Sequence, residues 1–96
     1  MVQFSQEGLA RVCRDNGIAR LRIFGSAARG EDRPDSDVDL IADFATPVGF
    51  FELIRAEDRL ADFFGRRVDL LTEGSISPFI RDNVLADARL IFEASG

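Results

Sequence analysis

The 96-residue sequence has no histidine, tyrosine or tryptophan, all of its basic residues are arginine, and it contains a single cysteine. Without histidine, Ser-His and Cys-His catalysis and the usual zinc sites are excluded. Without lysine, so are the P-loop lysine and the strand lysine of kinases. Cys13 cannot form an internal disulfide and is expected to be a small buried apolar residue. Any chemistry must therefore depend on carboxylates, bound metal and arginine.

Other classes of protein are excluded by charge and by hydropathy. No apolar run approaches the roughly 18 residues that span a bilayer, and the start of the chain lacks a signal-peptide pattern, so no membrane partner and a cytoplasmic location are expected. The net charge of −5 argues against nucleic acid as a direct partner. Because 46% of the residues are hydrophobic and 30% are charged, the sequence predicts one globular domain over residues 1–96.

Helical and strand-like patterns alternate along the chain. The predicted elements are a helix capped by Ser5 and ending at Asn16-Gly17, a strand over 20–24, a helical turn over 26–30, a strand over 37–44, a helix over 50–64, a strand over 67–71, a helix with Pro78 in its first turn, and a strand over 89–92. This order predicts an α/β (α+β) fold in which helices cover a mixed sheet of about four strands.

Two aspartates alternate with apolar residues on the second predicted strand. Asp37 and Asp39 share one face of that strand, about 7 Å apart, while Val38 and Leu40 face the other way. Like charges at this distance repel, so a strand has little reason to hold them together unless a cation lies between them. Oxygen ligands favour Mg²⁺. Asp69, on a later strand, is a candidate third ligand, and three acids can hold two ions.

A candidate phosphate-binding turn precedes these acids. Gly25 ends the first predicted strand and Ser26 begins a helical turn, which leaves backbone N–H groups and a hydroxyl available to an anion. The missing side chain at Gly25 allows a phosphate to approach the backbone, and Arg29 lies one turn further on. The turn and the acids on neighbouring strands together predict a metal–nucleotide site.

Chance and calcium binding are the alternatives to this interpretation. With eleven aspartates in the chain, two acids at these fixed positions arise by chance about once in eighty trials. A second Gly-Ser pair, Gly74-Ser75, has alanines at the corresponding distances and is expected to be a loop. An EF-hand loop starting at Asp35 fails because Leu40 and Thr46 stand where glycine and glutamate are required.

Several charged residues have a simpler interpretation. A solvated acidic turn accounts for Asp32 and Asp35, although it does not account for acids that alternate with Val38 and Leu40. Three arginines, which are not assigned to the site, are expected to be solvated or ion-paired: Arg66, Arg67 and Arg81.

The segment Leu21–Leu40, which reads LRIFGSAARG followed by EDRPDSDVDL, resembles the signature of the DNA polymerase β-type nucleotidyltransferases. More narrowly, the chain resembles the minimal nucleotidyltransferases (MNT) that act as antitoxins of HEPN toxins in prokaryotes. The segment GRRVDLL at 65–71 and the ending 77–92 extend this resemblance over nearly the whole chain.

The resemblance implies a function and a role for each residue. Gly25 and Ser26 would bind the triphosphate of ATP, and Asp37 and Asp39 would hold two Mg²⁺ ions. Asp69 would hold one ion and help to deprotonate the acceptor. The reaction would transfer AMP to a hydroxyl, expected to be that of a tyrosine, on a partner HEPN toxin and so silence this RNase.

The acceptor must come from elsewhere, since this chain contains no tyrosine to modify. Two alternatives stay open at this point. The chain could neutralise a toxin by binding alone, or it could transfer a nucleotide to a small molecule.

Overall fold

A computed structural model describes residues 3–33 and 35–94. Its helices are α1 (Gln6–Asp15), α2 (Gly25–Arg29), α3 (Phe50–Phe64) and α4 (Arg81–Asp87), with a short 3₁₀ turn at Glu73–Ser75. Its strands are β1 (Ile18–Phe24), β2 (Val38–Phe44), β3 (Val68–Thr72) and β4 (Arg89–Glu93). Helices and strands alternate in the predicted order.

The four strands form one mixed sheet in the order β3-β2-β1-β4. β1 is antiparallel to both β2 and β4, whereas β2 and β3 are parallel. The parallel pair is possible because α3 carries the chain back across the sheet between β2 and β3. The predicted α+β fold with a mixed sheet of about four strands is confirmed.

The main core lies between one face of the sheet and the helices α1 and α3. Leu9 and Cys13 of α1 and Leu60 of α3 are fully buried against the strands. Burial raises the pKa of the Cys13 thiol to about 12, which makes it an unreactive apolar group, as expected. This layer fixes one face of β2 and leaves the other face for the site.

The second face of the sheet is covered only in part. Ile41 of β2 and Ile76, in the segment after β3, are buried but lie outside the main core cluster. Since side chains alternate along a strand, Ile41 shares its face with Asp39. The acids therefore share this face of the sheet with a buried apolar side chain.

The ends of the elements differ from expectation in places. Ser5 caps α1 as predicted, since its hydroxyl accepts a hydrogen bond of 3.2 Å from the backbone N–H of Gly8. The prediction for Pro78 was wrong, because α4 begins three residues later at Arg81 and Pro78 lies in a preceding turn. No helix in the ranges 3–33 and 35–94 is long and apolar enough to cross a bilayer.

Candidate active site

Asp37 and Asp39 lie at the start of β2, where the strand leaves the loop that follows α2. Asp37 immediately precedes the strand and is exposed, whereas Asp39 is half-buried. The alternating residues Val38 and Leu40 are fully buried in the main core. The apolar residues thus anchor the strand and leave both carboxylates on the opposite face.

Asp69 occupies the matching position on the neighbouring strand. In the parallel register of β2 and β3, Asp39 is paired directly with Asp69. Val68 and Leu70 are buried on the core side, so Asp69 is on the same face as Asp39. The sheet therefore brings together Asp37, Asp39 and Asp69, which are called the site acids below.

Gly25 lies at the end of β1, against Asp39. In the antiparallel register of β1 and β2, Phe24 is paired with Asp39, which places the following turn against the same carboxylate. Gly25 has a φ of 71°, and a Cβ atom at this position would lie 2.6 Å from Oδ2 of Asp39. Glycine is required here both by its left-handed conformation and by the closeness of the acid.

The site acids form an uncompensated cluster of negative charge. The pKa of Asp39 is raised, first by burial and then by the charges of Asp69 and Asp37. Every ion pair within the described ranges involves other carboxylates. A cation from solvent would reduce this repulsion.

The donor set suits a hard cation such as Mg²⁺, since it consists of carboxylate oxygens. Within the described ranges, however, no three acidic or thiol side chains are close enough together to hold an ion as they stand. Neighbouring strands are only about 4.8 Å apart, so rotation of short aspartate side chains can bring their oxygens together. The chemistry of the donor oxygens therefore fits the ion, while binding requires the site acids to move closer together than they are here.

Ser26 and Arg29 lie on α2, whose first residue, Gly25, lies against Asp39. The first backbone N–H groups of this helix have no partner within it, and the Ser26 hydroxyl makes no hydrogen bond to residues 3–33 or 35–94. Arg29 instead forms ion pairs with Asp87 of α4, at 3.0 Å, and with Glu31, at 3.3 Å. The predicted phosphate contact of Arg29 stays a prediction that requires these ion pairs to open.

The sequence over residues 6–91 matches the family model described as "Nucleotidyltransferase domain". The chain belongs to the nucleotidyltransferase domain family. Within this family, it is 37% identical over 71 residues to the protein adenylyltransferase MntA of Thermococcus cleftensis, a match that covers 74% of this chain and 72% of the relative.

Solved structures with the same fold include a nucleotidyltransferase and a toxin complex. One, described as a minimal nucleotidyltransferase, is 37% identical and superposes with a TM-score of 0.74, covering 88% of this chain and 86% of its own. Another belongs to a complex of a tri-AMPylated HEPN toxin with an MNT antitoxin from Shewanella oneidensis. At 19% identity and a TM-score of 0.68, covering 93% of this chain and 70% of the other, this second likeness shows the fold alone.

The interpretation of Asp32 as a solvated acid was wrong. Its side chain is only 3% exposed, and its Oδ2 lies 2.9 Å from Nη1 of Arg66. This ion pair was missed because the two residues are 34 positions apart in the sequence. Arg66 itself is ion-paired, which was one of the two states expected for it.

Proposed function

We propose that this nucleotidyltransferase is an Mg²⁺-dependent protein adenylyltransferase that acts as an antitoxin, transferring AMP from ATP to a tyrosine hydroxyl of a HEPN-family toxin. The observation that carries the proposal is the cluster of site acids, which have no ion-paired arginine among residues 3–33 and 35–94 and which lie against the glycine turn at the end of β1. The family match and the name of the MntA relative support the class of reaction. Its use of ATP agrees with the cytoplasmic location expected from the sequence.

Each site residue has a distinct role in this proposal. Asp37 and Asp39 hold two Mg²⁺ ions, and Asp69 holds one of them. Gly25 and Ser26 bind the triphosphate through backbone N–H groups and the free hydroxyl. Arg29 is assigned to a phosphate oxygen once its ion pairs have opened. The tight fit between Gly25 and Asp39 keeps the phosphate turn and the metal ligands in contact.

The chemistry is a displacement at the α-phosphorus of ATP. Mg²⁺ held by Asp37, Asp39 and Asp69 would supply positive charge to offset that of the triphosphate and of the attacking oxygen. A bond forms between the acceptor oxygen and the α-phosphorus, the bond to the bridging oxygen breaks, and pyrophosphate leaves. The acceptor proton passes to Asp69, whose exposed position makes it accessible to an incoming hydroxyl.

The acceptor belongs to a partner protein in this proposal. The chain has no tyrosine of its own, and several large apolar side chains are available for binding a partner. Phe51 is 81% exposed and Phe79 is 95% exposed. Exposed aromatic side chains of this size are typical of surfaces that bind proteins.

The test is whether label on the α-phosphate of ATP is transferred, in the presence of Mg²⁺, to a HEPN-family protein encoded by a neighbouring gene. We expect labelled tyrosine on the partner, identified by mass spectrometry, and loss of the partner's RNase activity. Asp37→Asn should abolish labelling. Asp35→Asn is the matched control, since Asp35 is an exposed acid two residues away that has no role in the site.

Neutralisation by binding alone is the second candidate, and it is favoured by the exposed Phe51 and Phe79. It requires a complex that silences the toxin without nucleotide transfer. If Asp37→Asn forms the complex and silences the RNase as well as wild type does, binding alone is sufficient and the enzymatic proposal is wrong. If Asp37→Asn binds but leaves the RNase active, transfer is required.

A further inference from the structure

Arg66 holds the loop that leads into the site acids. It follows Gly65, which ends α3, and its side chain is only 14% exposed. The guanidinium donates hydrogen bonds to three groups on the loop: Oδ2 of Asp32 at 2.9 Å, the carbonyl oxygen of Arg33 at 2.6 Å, and the carbonyl oxygen of Ser36 at 2.7 and 3.1 Å. The first of these bonds lowers the pKa of Asp32, which keeps this acid ionised.

The loop is also closed on itself at the point that Arg66 contacts. The backbone N–H of Ser36 donates to the carbonyl of Arg33 at 2.9 Å, and the backbone N–H of Arg33 donates to the Ser36 hydroxyl at 3.0 Å. Arg66 therefore contacts two residues, Arg33 and Ser36, that are also hydrogen-bonded to each other.

Asp37 lies between two attachments to the same short segment of chain. On one side, the carbonyl of Ser36 accepts from the Arg66 side chain. On the other side, the backbone N–H of Val38 donates to the carbonyl of Arg67 at 2.9 Å. Residues 66 and 67 lead directly into β3, which carries Asp69. The same segment thus sets the positions of Asp37 and Asp69.

We propose that Arg66 is a positioning residue of the metal site, which fixes Asp37 relative to Asp39 and Asp69 without touching substrate. This inference rests on the proposed function, since it assumes that the site acids hold divalent cations. Substituting groups that orient metal ligands typically lowers metal affinity about 10- to 100-fold. A residue that only stabilises the fold would instead lower stability and leave metal affinity unchanged.

Arginine is suited to this role by the shape of its side chain. Its planar guanidinium presents donors in several fixed directions, and here three nitrogens bond to one carboxylate and two carbonyls. A lysine could approach the same groups with a single nitrogen, so Arg66→Lys should keep the charge near Asp32 but hold the loop less firmly. This variant therefore tests positioning without removing the positive charge.

The experiment compares wild type with Arg66→Lys and with Asp32→Asn. Three quantities are measured: the Mg²⁺ concentration for half-maximal AMP transfer, the affinity for Mn²⁺ by water-proton relaxation, and the melting temperature. Arg59→Lys is the matched control, because Arg59 is an exposed arginine on α3. For Arg66→Lys we expect about tenfold weaker Mn²⁺ binding and about tenfold more Mg²⁺ at half-maximal rate, with the maximal rate nearly restored at high Mg²⁺.

Asp32→Asn should have a smaller effect of the same kind, since Arg66 would keep its bonds to the two carbonyls. A lower melting temperature with wild-type Mn²⁺ affinity in both variants would overturn the inference. If wild type binds Mn²⁺ but transfers no AMP, the proposed function fails while the Mn²⁺ affinities still decide the role of Arg66. If wild type binds no Mn²⁺, there is no site to position and the inference fails as well.

Discussion

Two groups of acidic side chains lie at opposite ends of the sheet, and they differ in whether arginines compensate their negative charge. The site acids lie at the start of β2 and at the matching position of β3. A second group, called the far acids, lies towards the other end of the sheet and consists of Asp43 and Glu93 on the strands and Glu73 in the 3₁₀ turn. Arg20 contacts Glu93 at 3.0 Å and Asp43 at 3.9 Å, and Arg22 lies 3.9 Å from Glu73. Within residues 3–33 and 35–94, the site acids have no such partner.

The register of β1 and β2 explains why the two groups of acids differ in charge compensation. Arg20 is the strand partner of Asp43, whereas Phe24 is the strand partner of Asp39. Asp39 and Asp43 are both half-buried and, four residues apart, share a face of one strand. An arginine on β1 therefore compensates the charge of Asp43, whereas a phenylalanine stands at the equivalent position opposite Asp39. This difference supports our proposal that the site acids hold a cation from solvent, whereas the far acids are ion-paired within the chain.

The largest expected effect is on activity when one acid of each group is neutralised. Asp39→Asn should lower AMP transfer at least about a hundredfold, because metal ions contribute several kcal/mol to such transition states. Asp43→Asn should leave transfer within about twofold of wild type, since Asp43 lies outside the site and a partly exposed ion pair contributes little to stability. Initial rates with α-labelled ATP and the partner protein measure both. Equal losses in the two variants would contradict the distinction.

Placing an arginine opposite Asp39 tests whether the lack of an opposing arginine is what distinguishes the site acids from the far acids. Phe24→Arg copies the pairing of Arg20 with Asp43 and should compensate the site acids from within the chain. We expect the Mg²⁺ requirement for transfer to rise about tenfold or more, since each tenfold loss of affinity corresponds to about 1.4 kcal/mol. Circular dichroism checks that the variant is folded. A folded variant with an unchanged Mg²⁺ requirement would show that compensation of the acids is not what matters.

Gly25→Ala should reduce both stability and activity. The left-handed conformation costs a residue with a Cβ atom about 1–2 kcal/mol, and the new atom would meet the Asp39 carboxylate at 2.6 Å. Chemical denaturation measures the loss of unfolding free energy. Gly30→Ala is the matched control, since Gly30 has a similar φ of 73° but open space around it. It should lose similar stability and keep its metal affinity.

The smallest effect concerns the pH dependence of stability without metal. The pKa of Asp39 is raised above its ordinary 3.8 in the folded chain, so folding favours the protonated form. Its stabilising contribution is present below pH 3.8 and is lost as the pH rises through the raised pKa. In EDTA, the unfolding free energy of wild type relative to Asp39→Asn should therefore fall over this range. A constant difference from pH 3 to pH 7 would contradict the raised pKa.

The sequence was sufficient to predict the alternation of elements, the mixed sheet and the placement of Asp37 and Asp39 on one face. These follow from short-range periodicity, because buried residues alternate with the acids along β2. The pairing of Asp39 with Asp69 confirms that the third predicted acid is a neighbour. Their roles in binding metal and nucleotide stay predictions.

Long-range pairings were beyond what the sequence could reveal. Arg66 reaches Asp32 across 34 positions, and Arg29 reaches Asp87 across 58. In a chain with 12 basic and 17 acidic residues, many such pairings are possible, and only the fold selects among them. The start of α4 was misplaced for a similar reason, since Pro78 is equally compatible with a turn and with the first turn of a helix.

The most direct test of the distinction between the two groups of acids is the binding of Mn²⁺, followed by electron paramagnetic resonance with a non-hydrolysable ATP analogue present. Wild type and Asp43→Asn should bind the ion with equal affinity, whereas Asp39→Asn should bind it at least about tenfold more weakly. If Asp39→Asn binds Mn²⁺ as tightly as wild type does, the site acids do not hold the metal and the account is wrong.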